Sequence, residues 1–229
     1  MIYSAYSSDS AHGMLGYLGK DLKSQEKRPG EFKFLAREAK KSGGPVLELA
    51  SGACRVLMAL SKAGFEVYGI EASRAMIDIG REAIRKNLSK KEQRRIHLIQ
   101  GDMCSFAFRK SFPLIIIPFC SFWYNFERNH NDDRSSERAT RIEHVLGQAD
   151  NCLKSIMSSL SRGGRFIIDS SNYSSYFQEE LGKSWWDMVA EKHGFRFKVI
   201  RPYGEPVKSK NGKSKWYEWH TEVLIGGKL

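Results

Sequence analysis

Residues 46–73, VLELASGACRVLMALSKAGFEVYGIEAS, read as strand, helix and strand within 28 residues. Val46-Leu47-Glu48-Leu49 is a short apolar run, broken by the small residues Ala50-Ser51-Gly52-Ala53. Val56, Ala59, Leu60 and Ala63 then recur at helical spacing until Gly64 ends the helix, and Val67 to Ile70 forms a second strand closed by Glu71. A strand–helix–strand unit of this size returns the chain to the edge where it began, so its two strands run parallel. Parallel strands need cover on both faces. This segment alone restricts the chain to an α/β architecture.

The flanking sequence extends the pattern. Glu31 to Lys41 carries Phe34, Leu35 and Ala39 among charges and is stopped by Gly43-Gly44-Pro45. Ser73 caps a helix that buries Met76, Ile77, Gly80, Ala83 and Ile84, and Ile96 to Ile99 is a third strand. Leu114 to Pro118 is a fourth, whose unbroken Leu-Ile-Ile-Ile implies burial on both sides. Thr140 to Leu160 is a long amphipathic helix stopped by Gly163-Gly164, and Arg165 to Asp169 is the fifth strand. A further helix is expected between Tyr176 and His193, then strands at Phe195 to Ile200 and Lys215 to Ile225 joined through Asn211-Gly212. The predicted fold is a doubly wound, mostly parallel, Rossmann-like α/β sheet with an antiparallel C-terminal hairpin. At 229 residues it makes one domain, with an N-terminal arm or lid over residues 1–30, a cofactor-binding core over 31–170, and the C-terminal helix and hairpin over 171–229.

In such sheets ligands bind beyond the carboxyl ends of the strands. The first loop must then let a ligand approach the backbone, and Ala50, Ser51, Gly52 and Ala53 are all small. Glu71 lies 19 residues after Gly52, at the end of the second strand, where a carboxylate accepts the hydroxyls of a ribose. A dinucleotide site wants GxGxxG, and Ala50-x-Gly52-x-x-Arg55 lacks both outer glycines. A site for S-adenosylmethionine has no phosphate to cradle and often carries an acid in the first strand, here Glu48.

Five pieces in order carry a resemblance: Glu48 to Arg55, Gly69 to Ser73 with Met76 after it, Gly101-Asp102-Met103, Leu114 to Ser121, and Leu160 to Asp169. Over Val46 to Asp169 the chain resembles the class I S-adenosylmethionine-dependent methyltransferases. The resemblance implies that Ala50, Ser51 and Gly52 pass under the methionine part of the cofactor and that Glu71 holds its ribose. It further implies that Ala72 and Met76 flank the adenine, that Asp102 and Met103 meet its edge and face, and that Phe119 and Cys120 line the pocket of the donor methyl. The chain departs from the family with Ala50 and Cys54 at two glycine positions and with Pro113 where an Asp usually precedes the fourth strand. The Cys54 side chain must therefore point away from the cofactor or crowd it.

Methyl transfer from a sulfonium is an in-line displacement that chiefly requires orientation and exclusion of water, so no single catalytic side chain is expected. Phe122, Trp123 and Tyr124, after the fourth strand, are the candidate substrate-binding residues. The segment Phe119 to Asn125 lacks the Asn/Asp-Pro-Pro-Tyr/Phe signature of nucleobase amino methylation, and Pro118-Phe119-Cys120 is not the Pro-Cys of cytosine-carbon methylation. A small-molecule acceptor is expected. The excess of 37 Lys+Arg over 26 Asp+Glu keeps nucleic acid as an alternative, with Lys208, Lys210, Lys213 and Lys215 beside Trp216, Tyr217 and Trp219. A non-catalytic interaction protein retaining the fold is the third reading. Adjacent polar residues at Asn129 to Asp133 and the widely spaced Cys54, Cys104, Cys120 and Cys152 do not make a metal site. No targeting or membrane segment is legible, so reduced thiols, a cytoplasmic location and no membrane partner are expected.

Overall fold

The computed structural model describes residues 29–118, 121–122, 138–169, 185–200 and 223–228. In chain order the elements are α1 (Pro29–Ser42), β1 (Val46–Leu49), α2 (Arg55–Lys62), β2 (Val67–Glu71), α3 (Arg74–Asn87), α4 (Lys90–Gln93), β3 (Ile96–Gln100) and β4 (Phe112–Ile117). There follow α5 (Arg138–Ser159), β5 (Leu160–Asp169), α6 (Trp185–His193), β6 (Phe195–Ile200) and β7 (Val223–Lys228). The seven strands form one sheet in the order β3-β2-β1-β4-β5-β7-β6. The first five strands pair in parallel, and β7 lies antiparallel to both β5 and β6. The expected doubly wound sheet with an antiparallel C-terminal end is therefore present.

Period-two alternation sorts the central strands between two cores. Val46, Leu114, Ile116 and Ile167 face a layer with Phe34 and Leu35 of α1, Leu57 and Leu60 of α2, and Ile84 of α3. Leu47, Leu49, Ile115, Ile117 and Phe166 face Val145, Leu153 and Ile156 of α5 and Trp186 of α6. The isoleucine run of β4 is buried throughout because alternate residues serve opposite layers.

Some boundaries depart from expectation. β5 begins at Leu160 rather than Arg165, and Gly163-Gly164 lie inside it beside a register shift against Phe112 and Leu114. Gly163 has φ 70°, and a Cβ on Gly164 would stand 2.8 Å from the Ser161 carbonyl oxygen, so the glycines shape an irregular strand entrance and do not stop α5, which ends at Ser159. β7 runs to Lys228 instead of stopping at Ile225, since bare backbone at Gly226 accepts the ring of Phe166. Residues 215–222 and the turn at Asn211-Gly212 lie outside the described residues, as does the arm over residues 1–28. On α2 the buried face is Val56, Leu57, Met58, Leu60 and Ser61, while Ala63 is exposed at the C-cap.

The sheet order reverses at β1, with β2 on one side and β4 on the other. In sheets of this kind that reversal is where ligands bind, beyond the carboxyl ends of the strands.

Candidate active site

The loop from β1 to α2 makes its turn with left-handed backbone at Ala50 (φ 55°), Gly52 (φ 51°) and Cys54 (φ 68°). Two of these three carry side chains, at a cost of roughly 1–2 kcal/mol each in that region. The loop is tied down: the Ser51 N–H donates to the Ile70 carbonyl at 3.0 Å and the Cys54 N–H to the Ser51 carbonyl at 2.9 Å.

Glu71 staples this loop to the next. Its Oε2 accepts the Gly52 backbone N–H and its Oε1 the Ser73 backbone N–H, each at 2.8 Å. Burial pushes its carboxyl up, opposed by the N–H groups of Ser73, Gly52 and Ala72. Each oxygen retains acceptor capacity for a ligand hydroxyl. The loop amide at Gly52, which in a dinucleotide site would face pyrophosphate, here already faces a carboxylate.

Cys54 is fully buried at the N-cap of α2 and makes no side-chain cap. Its Sγ occupies the space where a Cβ on Gly80 of α3 would stand, so the thiol packs into the helix layer, donating weakly to the Gly52 carbonyl at 3.7 Å. Burial pushes this thiol far above its ordinary range, with Glu48 and Glu71 adding to the effect, which leaves it unreactive.

Glu48 shares a strand face with Val46 and is buried near the start of α2. Burial raises its carboxyl well above the usual carboxylate range, against the pull of the Arg55 guanidinium and the Leu57 N–H. Arg55 itself is held by Glu31 of α1 at 2.9 Å. Glu48 Oε2 and Ser51 Oγ are buried without a hydrogen-bond partner among the described residues.

Met76 is buried with Ala53, and its Cε lies 3.5 Å from where a Cβ on Gly52 would stand. Ala72 is half-buried, and its carbonyl accepts from Gln100 Nε2 at 3.3 Å. Asp102, after β3, accepts the Cys104 N–H through Oδ1 at 2.8 Å, and Met103 is buried in the core beside it. Beyond β4, Phe122 is fully buried and stacks on Trp186 of α6, ring centroids 5.6 Å apart. Phe119, Cys120, Trp123 and Tyr124 lie outside the described residues. The structure thus brings Glu48, Ala50, Ser51, Gly52, Glu71, Ala72, Met76, Asp102 and Met103 to the carboxyl ends of three adjacent strands. Gly80 was read from sequence only as a buried helix position, without its contact to Cys54, and Trp186, which stacks on Phe122, was not singled out, a tryptophan pair being the available signal. Among the described residues no group of three or more His, Cys, Asp or Glu is placed to hold a metal.

A family model described as "Methyltransferase domain" matches residues 46–142, the span that contains this site. Over that span the chain is similar to methyltransferases, and its fold is shared with solved S-adenosylmethionine-dependent ones. A solved methyltransferase from Clostridium acetobutylicum superposes with a TM-score of 0.62 at 11% identity, covering 94% of this chain and 99% of that one. The CcbJ methyltransferase from Streptomyces caelestis gives 0.61 at 14% identity over 87% and 89%. The glycopeptide N-methyltransferase MtfA, solved with S-adenosylhomocysteine, gives 0.58 at 17% identity over 88% and 90%. No curated relative matches the chain.

The residues of this site fit S-adenosylmethionine, the molecule bound in one of the glycopeptide N-methyltransferase structures of this fold. A Cβ at Gly52 would meet only the flexible end of Met76, so the crest of the loop is open to close approach. The site gathers carboxylates and carries no cation between Ala50 and Ala53, which suits a sulfonium and would repel a pyrophosphate. Among the described residues no helix is long and apolar enough to cross a membrane.

Proposed function

We propose that this methyltransferase delivers its methyl group to a nitrogen or oxygen of a small-molecule acceptor. The observation that carries this reading is the aromatic floor beyond β4. Phe122 is fixed against Trp186, and Trp185 packs at 5.0 Å on Trp186, so the chain just beyond β4 is anchored in an apolar aromatic cluster. Ligand pockets for small molecules are lined in this way, with a few polar groups for orientation. The same segment lacks the signatures of nucleobase methylation.

In this reading Ala50, Ser51 and Gly52 run beneath the methionine part, with Ser51 Oγ and Glu48 Oε2 as the polar atoms below it. Glu71 accepts both ribose hydroxyls while keeping its two backbone donors. Ala72 and the Met76 thioether flank the adenine, Asp102 and Met103 take its edge and face, and Phe119 and Cys120 border the methyl donor. Trp123 and Tyr124 line the acceptor side, with Phe122 behind them. The bound cofactor supplies an electrophilic methyl on a sulfonium. The chain aligns the acceptor and excludes water, and orientation alone is worth about 7–11 kcal/mol of barrier. Aromatic faces favour the cationic sulfur.

The test is calorimetric titration with S-adenosylmethionine and S-adenosylhomocysteine, then a screen of amines and hydroxyl compounds for cofactor-dependent product. One site per chain and turnover of a small acceptor are expected. Methylation of RNA alongside failure of every small acceptor would overturn the reading.

A further inference from the structure

The positive charges that look dispersed in the sequence converge in space. A parallel sheet sends every helix C-terminus, and the turn after it, to the amino ends of the strands. Lys62 ends α2, Arg85 lies in the last turn of α3, Lys90 and Lys91 form α4, and Arg94 leads into β3. All five are exposed, and none makes an ion pair among the described residues. The carboxylates nearby are engaged elsewhere: Glu82 pairs with Lys86, and Glu92 closes a capping box with Ser89.

The ridge is held rigidly. Ser61 Oγ of α2 donates to the Glu92 carbonyl at 2.7 Å, and Arg95 donates back to the Ser61 carbonyl at 3.3 Å, which locks α4 onto α2. Leu88 is buried at the junction, and no large apolar side chain is exposed on the ridge. A membrane partner would be served by an apolar wedge, which is missing; a rigid row of Lys and Arg donors matches spaced phosphates. α4 is a single turn, too short to read a groove, so contacts made here stay on the backbone.

We propose that the ridge formed by the end of α2, the end of α3, and α4 docks the phosphate backbone of a nucleic acid duplex, without reading its sequence, at the end of the sheet opposite the methyl-transfer site. The proposal does not depend on what the acceptor is.

The experiment uses the full chain and fluorescence anisotropy with labelled mixed-sequence duplex RNA and, in parallel, duplex DNA, over a range of salt. Lys90→Ser/Lys91→Ser/Arg94→Ser keeps the Ser89–Glu92 box and the Arg95 anchor. It should weaken binding at least about tenfold near 0.1 M salt and flatten the log–log salt slope by about 2 to 3. A control, Lys33→Ser/Arg37→Ser on α1, should change little, and calorimetric affinity for S-adenosylhomocysteine should be unaltered in both variants. Absence of binding to either duplex at low salt overturns the proposal, as does an equal loss in the two variants, which would mark a diffuse charge effect. Binding to phosphatidylserine vesicles but to neither duplex would replace it with a membrane surface.

Discussion

Glu71 concentrates the site's chemistry in one carboxylate. Glu71→Ala removes acceptors for the cofactor and also the staple between two loops, so S-adenosylhomocysteine affinity should fall by roughly 1.5–3 kcal/mol, read by calorimetry. Burial sets its carboxyl above the ordinary value of about 4.3, so it takes up a proton at a higher pH than a free Glu. The protonated form loses acceptor capacity, and affinity should decline in mild acid as pH falls through that raised value. Glu71→Gln should bind weakly at all pH and show no such step; a step that persists would place the titration elsewhere. Cys54 and Gly80 form the other residue-scale unit. Gly80→Ala alone should destabilise by about 1–3 kcal/mol, since the new methyl meets the Cys54 sulfur. In a Cys54→Gly background the same change should be neutral or stabilising by up to about 1 kcal/mol, because alanine favours a helix and glycine relieves the left-handed turn. Denaturant unfolding of the four proteins measures the coupling, and additive effects would contradict the packing described. Cofactor affinity should hold through the Cys54 exchange. The offset of Glu71 from Gly52 was legible in sequence because it follows from strand and helix lengths. The Cys54–Gly80 contact was not, because it joins two helices whose relative placement no local pattern encodes.

At the scale of elements, α6 is fastened to α5 by a cluster that period alone could not predict. Asp150 of α5 takes Lys192 Nζ and His193 Nε2 of α6, both at 2.7 Å, and the same helix presents Trp186 to Phe122. Burial would raise the Asp150 carboxyl, but the hydrogen bonds from Lys192 and His193 outweigh it and hold the group below its ordinary value. A carboxylate lowered in the folded state lends stability that is whole above its unfolded value, about 3.9, and is lost as pH falls through the lowered one. Asp150→Asn should therefore cost about 1 kcal/mol near neutrality, with the difference from wild type vanishing in strong acid. Thermal unfolding across pH reads this directly; an unchanged midpoint at neutral pH would show that the apolar contacts of Trp185, Trp186 and Val189 hold α6 unaided. The strands were legible because their signal is internal: short apolar runs in β1 and β2, and an unbroken Leu-Ile-Ile-Ile run in β4. The start of β5 and the end of β7 were not, because they are decided by register against Phe112 and by the ring of Phe166, partners distant in sequence.

For the molecule as a whole, the doubly wound, mostly parallel sheet with its antiparallel end follows from alternating strands and helices and was legible in the sequence. The grouping of charge was not, since it appears only once parallel strands send distant turns to one end. Any affinity for nucleic acid should reside on the α4 ridge and not in the basic tail. Replacing Lys208, Lys210, Lys213 and Lys215 with Ser should spare methyl transfer, whereas Trp123→Ala should impair acceptor binding or turnover. Loss of activity in the lysine variant under steady-state assay would bring the tail into the acceptor site and displace the small-molecule reading. The described carboxylates Glu71, Asp102 and Asp169 sit at the opposite end of the sheet from Lys90, Lys91 and Arg94. Among the described residues, that separation of charge favours an approach to a polyanion with the proposed ridge leading. The candidate site then faces away from whatever the protein has landed on, and stays open to the solvent from which cofactor and acceptor must come.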